Sequence, residues 1–157
     1  MAIYAKIGKI DGDATHDKHQ KWLTIDSLQW GVGRAIHTPV GSASNREASE
    51  PSVSEVTISK QMDEASPTLF AEACTGKATE VKIHLVTTGN PGDTYMEYTL
   101  TDAMISAYSM SSGGDRPSES LSLNFTKIET KYTPYDANHK PGNPITTSYD
   151  LKTAKKA

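Results

Sequence analysis

Cysteine is almost absent from this sequence, because Cys74 stands alone among 157 residues and no disulfide can form within the chain. Aromatic residues make up only 7%, and a hydrophobic share of 36% leaves many polar positions on any regular element. No apolar run approaches the ~18 residues that a membrane-spanning helix needs. Half-buried strands suit this composition better than a helical bundle does, so we expect one mainly β domain over residues 1–157.

The chain also lacks charge concentrated in one sign. Acidic and basic residues are interspersed and the net charge is −3, whereas nucleic-acid binding needs a basic face. The N-terminus lacks the ~7–15-residue apolar core of a signal peptide. We therefore expect no nucleic-acid partner, no membrane insertion, and a cytoplasmic protein whose export would need no cleaved signal.

The strongest positive signal is a long hairpin within residues 95–132. Two runs rich in β-forming residues flank a Gly/Asp/Pro loop at residues 111–117. Alternation in the second run holds from Leu121 to Phe125, but Ile128 falls on the other parity. A period of two cannot shift without a bulge, a bend or a change of sheet, so we expect this strand region to serve two environments.

One short helix is predicted between the strands. Ser66 fits an N-cap, Pro67 fits the first helical position, and Gly76 fits the C-terminal stop. An apolar stripe of about two turns predicts the residues that anchor this helix on the β core, namely Leu69, Phe70, Ala73 and Cys74. The lone cysteine is thus interpreted as a small buried hydrophobe and not as a nucleophile.

A segment without sustained periodicity covers residues 33–51. Compact domains seldom carry loops beyond ~12–15 residues unless these are functional or disordered. A mobile surface loop and a binding arm that orders against a partner both fit its composition. The contact residues of such an arm are expected to be Arg34, Ile36, His37, Val40, Arg46, Glu47 and Glu50.

No complete catalytic motif is present in the sequence. Gly31 and Gly33 resemble the start of a dinucleotide fingerprint, but Ile36 stands where its third glycine belongs. Acids such as Asp115 and Glu119 are scattered, form no pair at a recognisable spacing, and are interpreted as surface residues. We therefore expect no catalytic or cofactor-binding residues, no cofactor, and no enzymatic activity.

The acids of residues 11–17 resemble a calcium loop, but His16 and Trp22 occupy the positions of its glycine and final glutamate. His16 and His19 have the spacing to share one face of a helical turn and hold zinc. A closed zinc site needs three or four ligands, and no others are evident. A polar surface turn without a metal is the favoured interpretation.

Three stretches of the chain resemble the haemolysin-coregulated proteins, the Hcp family. Residues 4–10, followed by DGDATHDKH and IDSLQWGVG, look like the N-terminal half of that family. The stretch VTISKQMDEASPTLFAEACTGK looks like its central strand and helix, and GGDRPSESLSLNFTKIETKYTPYD looks like its C-terminal strand pair. The likeness covers nearly the whole chain in order, apart from residues 42–50 and the segment from residue 137 onward.

The resemblance implies a tube protein of the bacterial type VI secretion system, with a compact β-barrel of two sheets and one short α-helix, similar to phage tail tube subunits. It implies hexameric rings that stack into an inner tube, which sheath contraction expels, with small effector cargo in the lumen of some members. Its partners would be further copies of itself and the sheath, spike and baseplate proteins. Residues 33–51 would be an inter-ring loop, and about 137–157 a C-terminal segment and tail. Such a protein is cytoplasmic before firing and secreted afterwards.

Two other classes of protein remain open at this point. A phage or phage-like tail tube subunit satisfies the same physics. A ligand-binding β-sandwich module should offer a cluster of exposed aromatic residues with polar partners, and Trp22, Trp30 and Tyr108 are widely separated in the sequence. The tube protein is therefore the preferred hypothesis.

Overall fold

The computed structural model describes residues 1–41, 46–89 and 92–156. The sequence NPGD at residues 90–93 predicts a turn, which lies partly outside the described residues. As predicted, the described chain is mainly β with one short helix. The helix α1 is Ser66–Thr75. The strands are β1 (Ala2–Ile7), β2 (Leu23–Ile25), β3 (Ser27–Gln29), β4 (Val32–Gly33), β5 (Ile36–His37), β6 (Glu47–Ala48), β7 (Ser52–Val53), β8 (Val56–Gln61), β9 (Thr79–Val86), β10 (Thr94–Ser111), β11 (Ser118–Asn124), β12 (Lys127–Tyr132), β13 (Ile145–Asp150) and β14 (Lys155–Lys156).

Two antiparallel sheets share the 18-residue strand β10. The first sheet has the order β2-β1-β9-β10-β12-β13-β14. The second has the order β10-β11-β8-β3. The register of β10 shifts near its start, between Thr94 and Met96, and twice near its middle, between Leu100 and Ala103 and between Ile105 and Ala107. Such irregularities bend a strand, and here they carry β10 from one sheet into the other.

The chain changes sheet a second time directly after β11, as the parity shift predicted. Strand β11 ends at Asn124 in the second sheet, and β12 begins at Lys127 in the first. Between them Phe125 is buried, and the Thr126 N–H donates to the Thr101 carbonyl at 3.0 Å. The prediction that this strand region serves two environments is confirmed.

The core consists of the inward side chains of both sheets and of one residue from the middle of α1. Alternate positions of β8 and β11 are buried, which gives these strands the period of two that the sequence showed. Each buried Val, Leu or Ile contributes about 1.5–3 kcal/mol. The larger members of this core are Ile7, Leu23, Ile25, Val56, Ile58, Leu69, Val81, Ile83, Leu100, Leu121, Leu123, Phe125 and Ile128.

The sheets are open, so the expectation of a closed barrel is wrong. A barrel needs a partner strand on both sides of every strand. Among the described residues β2 pairs only with β1, and β3 pairs only with β8. Asp26 alone separates β2 in the first sheet from β3 in the second, so the chain crosses between the sheets over one residue. At this crossing the Asp26 N–H donates to the Ser59 carbonyl at 2.8 Å.

The ends of α1 follow the prediction only at the C-terminus. Ala65 occupies the cap position without a side-chain cap, so the assignment of Ser66 as N-cap is wrong. Ser66 instead donates from Oγ to Glu119 Oε1 at 2.8 Å. The helix stops at Gly76, whose N–H donates to the Glu72 carbonyl at 2.9 Å. A Cβ at Gly76 would collide with that carbonyl, which explains the glycine although its backbone is extended.

Only part of the predicted apolar stripe of α1 faces the core. Leu69 is fully buried and Ala73 is half-buried, but Phe70 is 58% exposed and Cys74 is also exposed. The prediction of core anchors is therefore wrong for Phe70 and Cys74. Helical residues turn about 100° each, so Ala73 lies about 40° from Leu69, whereas Phe70 and Cys74 lie about 100° and 140° away from it.

Candidate assembly surfaces

Residues 33–51, which we call the arm, are drawn out into two short antiparallel ladders beside the main sheets. At its base β4 pairs with β7, where Val32 lies opposite Val53. Farther out β5 pairs with β6, where Ile36 lies opposite Ala48. The segment that lacked a period in the sequence therefore has two paired sides.

Hydrogen bonds between the ladders keep the two sides of the arm together. The Ala35 N–H donates to Ser49 Oγ at 3.0 Å, and the Ser49 N–H donates to the Ala35 carbonyl at 2.8 Å. Farther along the arm, Arg46 Nε donates to Thr38 Oγ1 at 3.1 Å. Each of these exposed bonds contributes no more than about 0.5–1.5 kcal/mol. The arm thus has a defined shape but modest stability of its own.

The arm presents its apolar side chains to solvent. Beside the base of the arm Val32 is 61% exposed. Within the arm Ile36 is 49% exposed and Val40 is fully exposed. Aliphatic groups interspersed with charges of both signs are typical of a contact surface. The structure places all of the predicted contact residues of the arm at exposed positions: Arg34, Ile36, His37, Val40, Arg46, Glu47 and Glu50.

A second exposed apolar surface lies on α1 and the end of β10. The rings of Phe70 and Tyr108 meet edge to face, with their centres 6.3 Å apart. Met110 lies two residues beyond Tyr108, hence on the same face of the strand, and is 53% exposed. We call Phe70, Tyr108 and Met110 the helix-side patch.

A buried ion pair lies beneath the helix-side patch. Lys60 on β8 and Glu119 on β11 are direct partners in the ladder, and Lys60 Nζ donates to Glu119 Oε1 at 2.8 Å. Both residues are almost completely buried. Lys60 Nζ also donates to Asp63 Oδ1 at 3.0 Å and to the Gln61 carbonyl at 2.7 Å. The ammonium group therefore has three acceptors, which compensates for its removal from water.

Glu119 joins three elements through one carboxylate. It accepts hydrogen bonds from Lys60 on β8, from Ser66 on α1 and from Tyr108 on β10. Burial alone would raise the pKa of Glu119, but these hydrogen bonds outweigh burial and hold the pKa below its usual value. Burial, and then the bond to Glu119, raise the pKa of Tyr108 to about 12. The group positions α1 and hence the helix-side patch.

The sequence contained the signal for this pair. Lys60 continues the inward parity of Ile58, and Glu119 precedes Leu121 on the inward parity of its own strand. Opposite charges at inward positions of two strands indicate a buried pair when the strands are neighbours. The interpretation of Glu119 as a surface residue is therefore wrong, whereas Asp115 is exposed as expected.

The acidic and histidine-rich turn does not gather a metal site. Asp11 accepts a hydrogen bond from Lys6 Nζ at 2.9 Å, which lowers the pKa of Asp11. His16 and His19 share a hydrogen bond, but His19 is only 2% exposed, so its interpretation as a surface residue is wrong. Within residues 1–41, 46–89 and 92–156, no group of three or more His, Cys, Asp or Glu side chains is arranged to hold a metal ion.

One further sequence observation finds no structural support in the part of the chain that the structure describes. Gly31 and Gly33 lie at the short strand β4, and the next helix, α1, begins only at Ser66, so no nucleotide-binding strand-turn-helix unit forms. Among the described residues, no helix is both long enough and apolar enough to cross a bilayer.

Comparison with known proteins identifies the family. The model of the family described as "Type VI secretion system effector, Hcp" matches residues 4–132. The chain belongs to the Hcp family. Protein hcp1 of Pseudomonas aeruginosa is 25% identical over 157 residues, which cover 96% of this chain and 94% of that protein.

Solved Hcp structures share the fold over the full length of the chain. A type six secretion system protein superposes with a TM-score of 0.91 at 29% identity, and 99% of each chain is covered. Hcp1 from Salmonella typhimurium gives a TM-score of 0.79 at 26% identity, with 99% of this chain and 98% of that chain covered. The Hcp likeness seen in the sequence is confirmed.

Proposed function

We propose that this chain is a subunit of the type VI inner tube. Six copies close into a ring, the rings stack, and sheath contraction expels the resulting tube with small effector cargo in its lumen. The protein acts by shape, without a cofactor and without enzymatic activity. Its partners are further copies of itself and the sheath, spike and baseplate proteins. It is cytoplasmic before firing and secreted afterwards.

The observation that carries this proposal is a full-length Hcp fold whose sheets end in open edges. Among the described residues, the second sheet ends at β3 on one side and at the C-terminal half of β10 on the other. An open strand edge is a template for pairing with another chain. Contact between two different edges is a head-to-tail interface, which produces a closed ring when the rotation between subunits closes.

We assign the arm to contacts between rings and the helix-side patch to the seam within a ring. The arm supports its assignment through exposed Val40 and Ile36 at the end of a shaped projection. The patch supports its assignment because Phe70 is a large aromatic residue left exposed next to the open part of β10. Exposed aromatic residues are enriched where proteins bind each other.

Ring formation is tested by light scattering after size-exclusion chromatography. At micromolar concentration the particle should have six times the mass of the 17.0 kDa chain, with or without a chelator. Phe70→Glu should disrupt the ring, whereas Thr68→Glu, an exposed position on the other side of Leu69, should leave it intact. A wild-type monomer, or a ring that disappears when metal is removed, would contradict the proposal.

The type VI context needs a separate assay, because a phage-like tail tube subunit would form the same ring. The protein should appear in the culture medium of cells with an intact type VI sheath and stay inside cells that lack the sheath. Equal release from both strains would favour the phage-like alternative over the type VI tube.

A further inference from the structure

Three histidine rings form a hydrogen-bonded chain beside the first sheet, and the Glu97 carboxylate lies next to the last ring. His19 Nδ1 lies 2.9 Å from His16 Nδ1, and His19 Nε2 lies 2.8 Å from His84 Nδ1. His84 Nε2 lies 3.2 Å from Glu97 Oε1, and Lys131 Nζ lies 3.2 Å from the other carboxylate oxygen. His84 and Glu97 are direct partners on β9 and β10, whereas His16 and His19 belong to the segment between β1 and β2.

The carboxylate favours one position of the proton on each ring. Glu97 accepts only, so the proton of a neutral His84 is expected on Nε2, which lies beside it, and Nδ1 of His84 then accepts. His19 Nε2 therefore donates to His84, which leaves His19 Nδ1 to accept from the N–H at His16 Nδ1. With all three rings neutral, every bond is satisfied and every donor points towards Glu97.

The central ring is enclosed by aromatic neighbours. His19 is 2% exposed, stacks on Tyr4 at 4.9 Å between ring centres, and meets Trp22 edge to face at 4.7 Å. Water cannot easily replace a hydrogen bond that breaks at such a site. The titratable and charged groups around His19 and His84 come from every adjoining element: Tyr4 of β1, His16 and Lys18 of the segment, Lys82 of β9, Glu97 of β10, and Glu129 and Lys131 of β12.

The histidine chain links a locally folded segment to the sheet. Backbone bonds within the segment hold its own shape, such as Gly12 N–H to the Lys21 carbonyl at 2.8 Å and Ala14 N–H to the Trp22 carbonyl at 3.0 Å. The bond from His19 to His84 joins this shape to β9. We propose that the chain from His16 to Glu97 is an acid-sensitive clasp, which holds residues 8–22 on the first sheet at neutral pH and releases them in acid.

Protonation of His19 adds an N–H donor at its Nδ1. That donor faces the N–H at His16 Nδ1, so the bond between these two rings breaks.

The direction of the pH effect follows from the lowered pKa values. Burial, and then repulsion from His84 and His16, lower the pKa of His19 to about 4, and burial also lowers the pKa of His84 despite the opposing effect of Glu97. A histidine with a lowered pKa stabilises the folded state fully above about pH 6.5 and loses that contribution as the pH falls towards 4. Between pH 7 and pH 5 the opening equilibrium should rise on the order of tenfold.

Nitrogen NMR of the histidine rings tests the clasp directly in the wild-type protein. At pH 7.5 His19 and His84 should each carry the proton on Nε2, and His16 should carry it on Nδ1. Signals from the two histidines outside the chain, His37 and His139, serve as internal references. A charged His19 at neutral pH, or a proton on Nδ1 of His19 or of His84, would overturn the assignment.

A substitution at Glu97 tests whether its carboxylate orients the histidine rings, and a control at Glu129 tests the effect of losing the same charge. Glu97→Gln introduces an amide that can donate or accept, so His84 and His19 should show a mixture of both tautomers. Glu129→Gln is the matched control, because Glu129 lines the same cleft as His84 and Glu97 and loses the same charge. Unchanged tautomers in Glu97→Gln, or the same mixture in both variants, would contradict a clasp fixed by Glu97.

Amide hydrogen exchange tests the release of the segment. After correction for intrinsic rates, the Gly8 amide, which donates to the Glu80 carbonyl of β9 at 3.0 Å, should lose protection on the order of tenfold between pH 7 and pH 5, while the core amides of Ile83 and Leu100 keep theirs. In His19→Gln this pH dependence should weaken, because the most strongly shifted ring is absent. Constant protection of the Gly8 amide down to pH 4.5 in the wild type would overturn the proposal.

Discussion

The arm and the buried Lys60–Glu119 pair beneath α1, which we call the corner, differ in what their side chains contact. In the arm, Val40 and Ile36 face solvent, and exposed hydrogen bonds join the two sides. In the corner, Lys60 and Glu119 are enclosed and tied to three elements. Conformational stability should therefore depend on the corner, whereas the arm is available for contacts with other molecules.

The largest effect is expected from breaking the buried pair. Glu119→Ala leaves Lys60 charged in a closed site and removes the acceptor of Ser66 and Tyr108. The free energy of unfolding should fall by about 3–5 kcal/mol, as measured by urea denaturation. This loss would approach the whole stability of a small domain.

A paired substitution shows whether that loss arises because Lys60 keeps its charge with only Asp63 left as an acidic partner. Lys60→Met combined with Glu119→Leu removes both charges at similar volume and should recover most of the stability. If Glu119→Ala alone changes stability by less than about 1 kcal/mol, the corner does not determine the stability of the fold, and the comparison with the arm fails.

The next largest effect on stability is expected from two neighbouring residues of α1, which should differ from each other. Leu69→Ala removes a fully buried side chain and should lower the free energy of unfolding by about 2–5 kcal/mol. Phe70→Ala acts on a ring that is 58% exposed, so the loss should stay near 1 kcal/mol. Thermal melting of the dissociated subunit measures both, and equal shifts would mean that Phe70 contributes to the core after all.

The corner should also lose stability at both extremes of pH. Glu119 has a lowered pKa, so its contribution is present above about pH 4.5 and is lost as the pH falls below that value. Tyr108 has a pKa raised to about 12, so its contribution is present below pH 10 and is lost between pH 10 and about 12. Urea midpoints across this range should show both losses in the wild type. Tyr108→Phe should show a smaller alkaline loss, because Tyr135, whose pKa is also raised by burial, remains. An unchanged alkaline loss would contradict the assignment.

The smallest effect on stability is expected in the arm. Val40→Asp changes a side chain without neighbours, so the free energy of unfolding should move by no more than about 0.5 kcal/mol. The same change should weaken the stacking of rings seen by electron microscopy, because it places a charge in the proposed contact. Val40→Thr is the control that keeps the shape, and it should stack more strongly than Val40→Asp.

Strand positions were predictable because alternation reports burial residue by residue. The shift of parity between Phe125 and Ile128 predicted the change from the second sheet to the first. The face of the helix was less predictable. A stripe of two turns contains Leu69 and Phe70 with equal hydrophobic weight, and only the position of the sheet decides which of them is buried.

Contacts between residues far apart in the sequence were the hardest feature to predict. Lys60 and Glu119 lie 59 residues apart, yet each has an inward parity that pointed to burial. His19 and His84 lie 65 residues apart, and His19 belongs to a segment without a period, so nothing local indicated their contact. The paired sides of the arm escaped prediction because ladders of two residues are too short to show alternation.

The most direct test of the account is the deletion of residues 41–49, measured by native mass spectrometry beside urea unfolding. The account predicts a closed particle of six chains and a free energy of unfolding within about 1 kcal/mol of the wild type, since loop length changes closure entropy only slowly. Stacks of rings should be absent under conditions where the wild type forms them. A deletion variant that unfolds, or stays monomeric while the wild type forms rings, would show that the arm belongs to the fold and contradict the separation of the two regions.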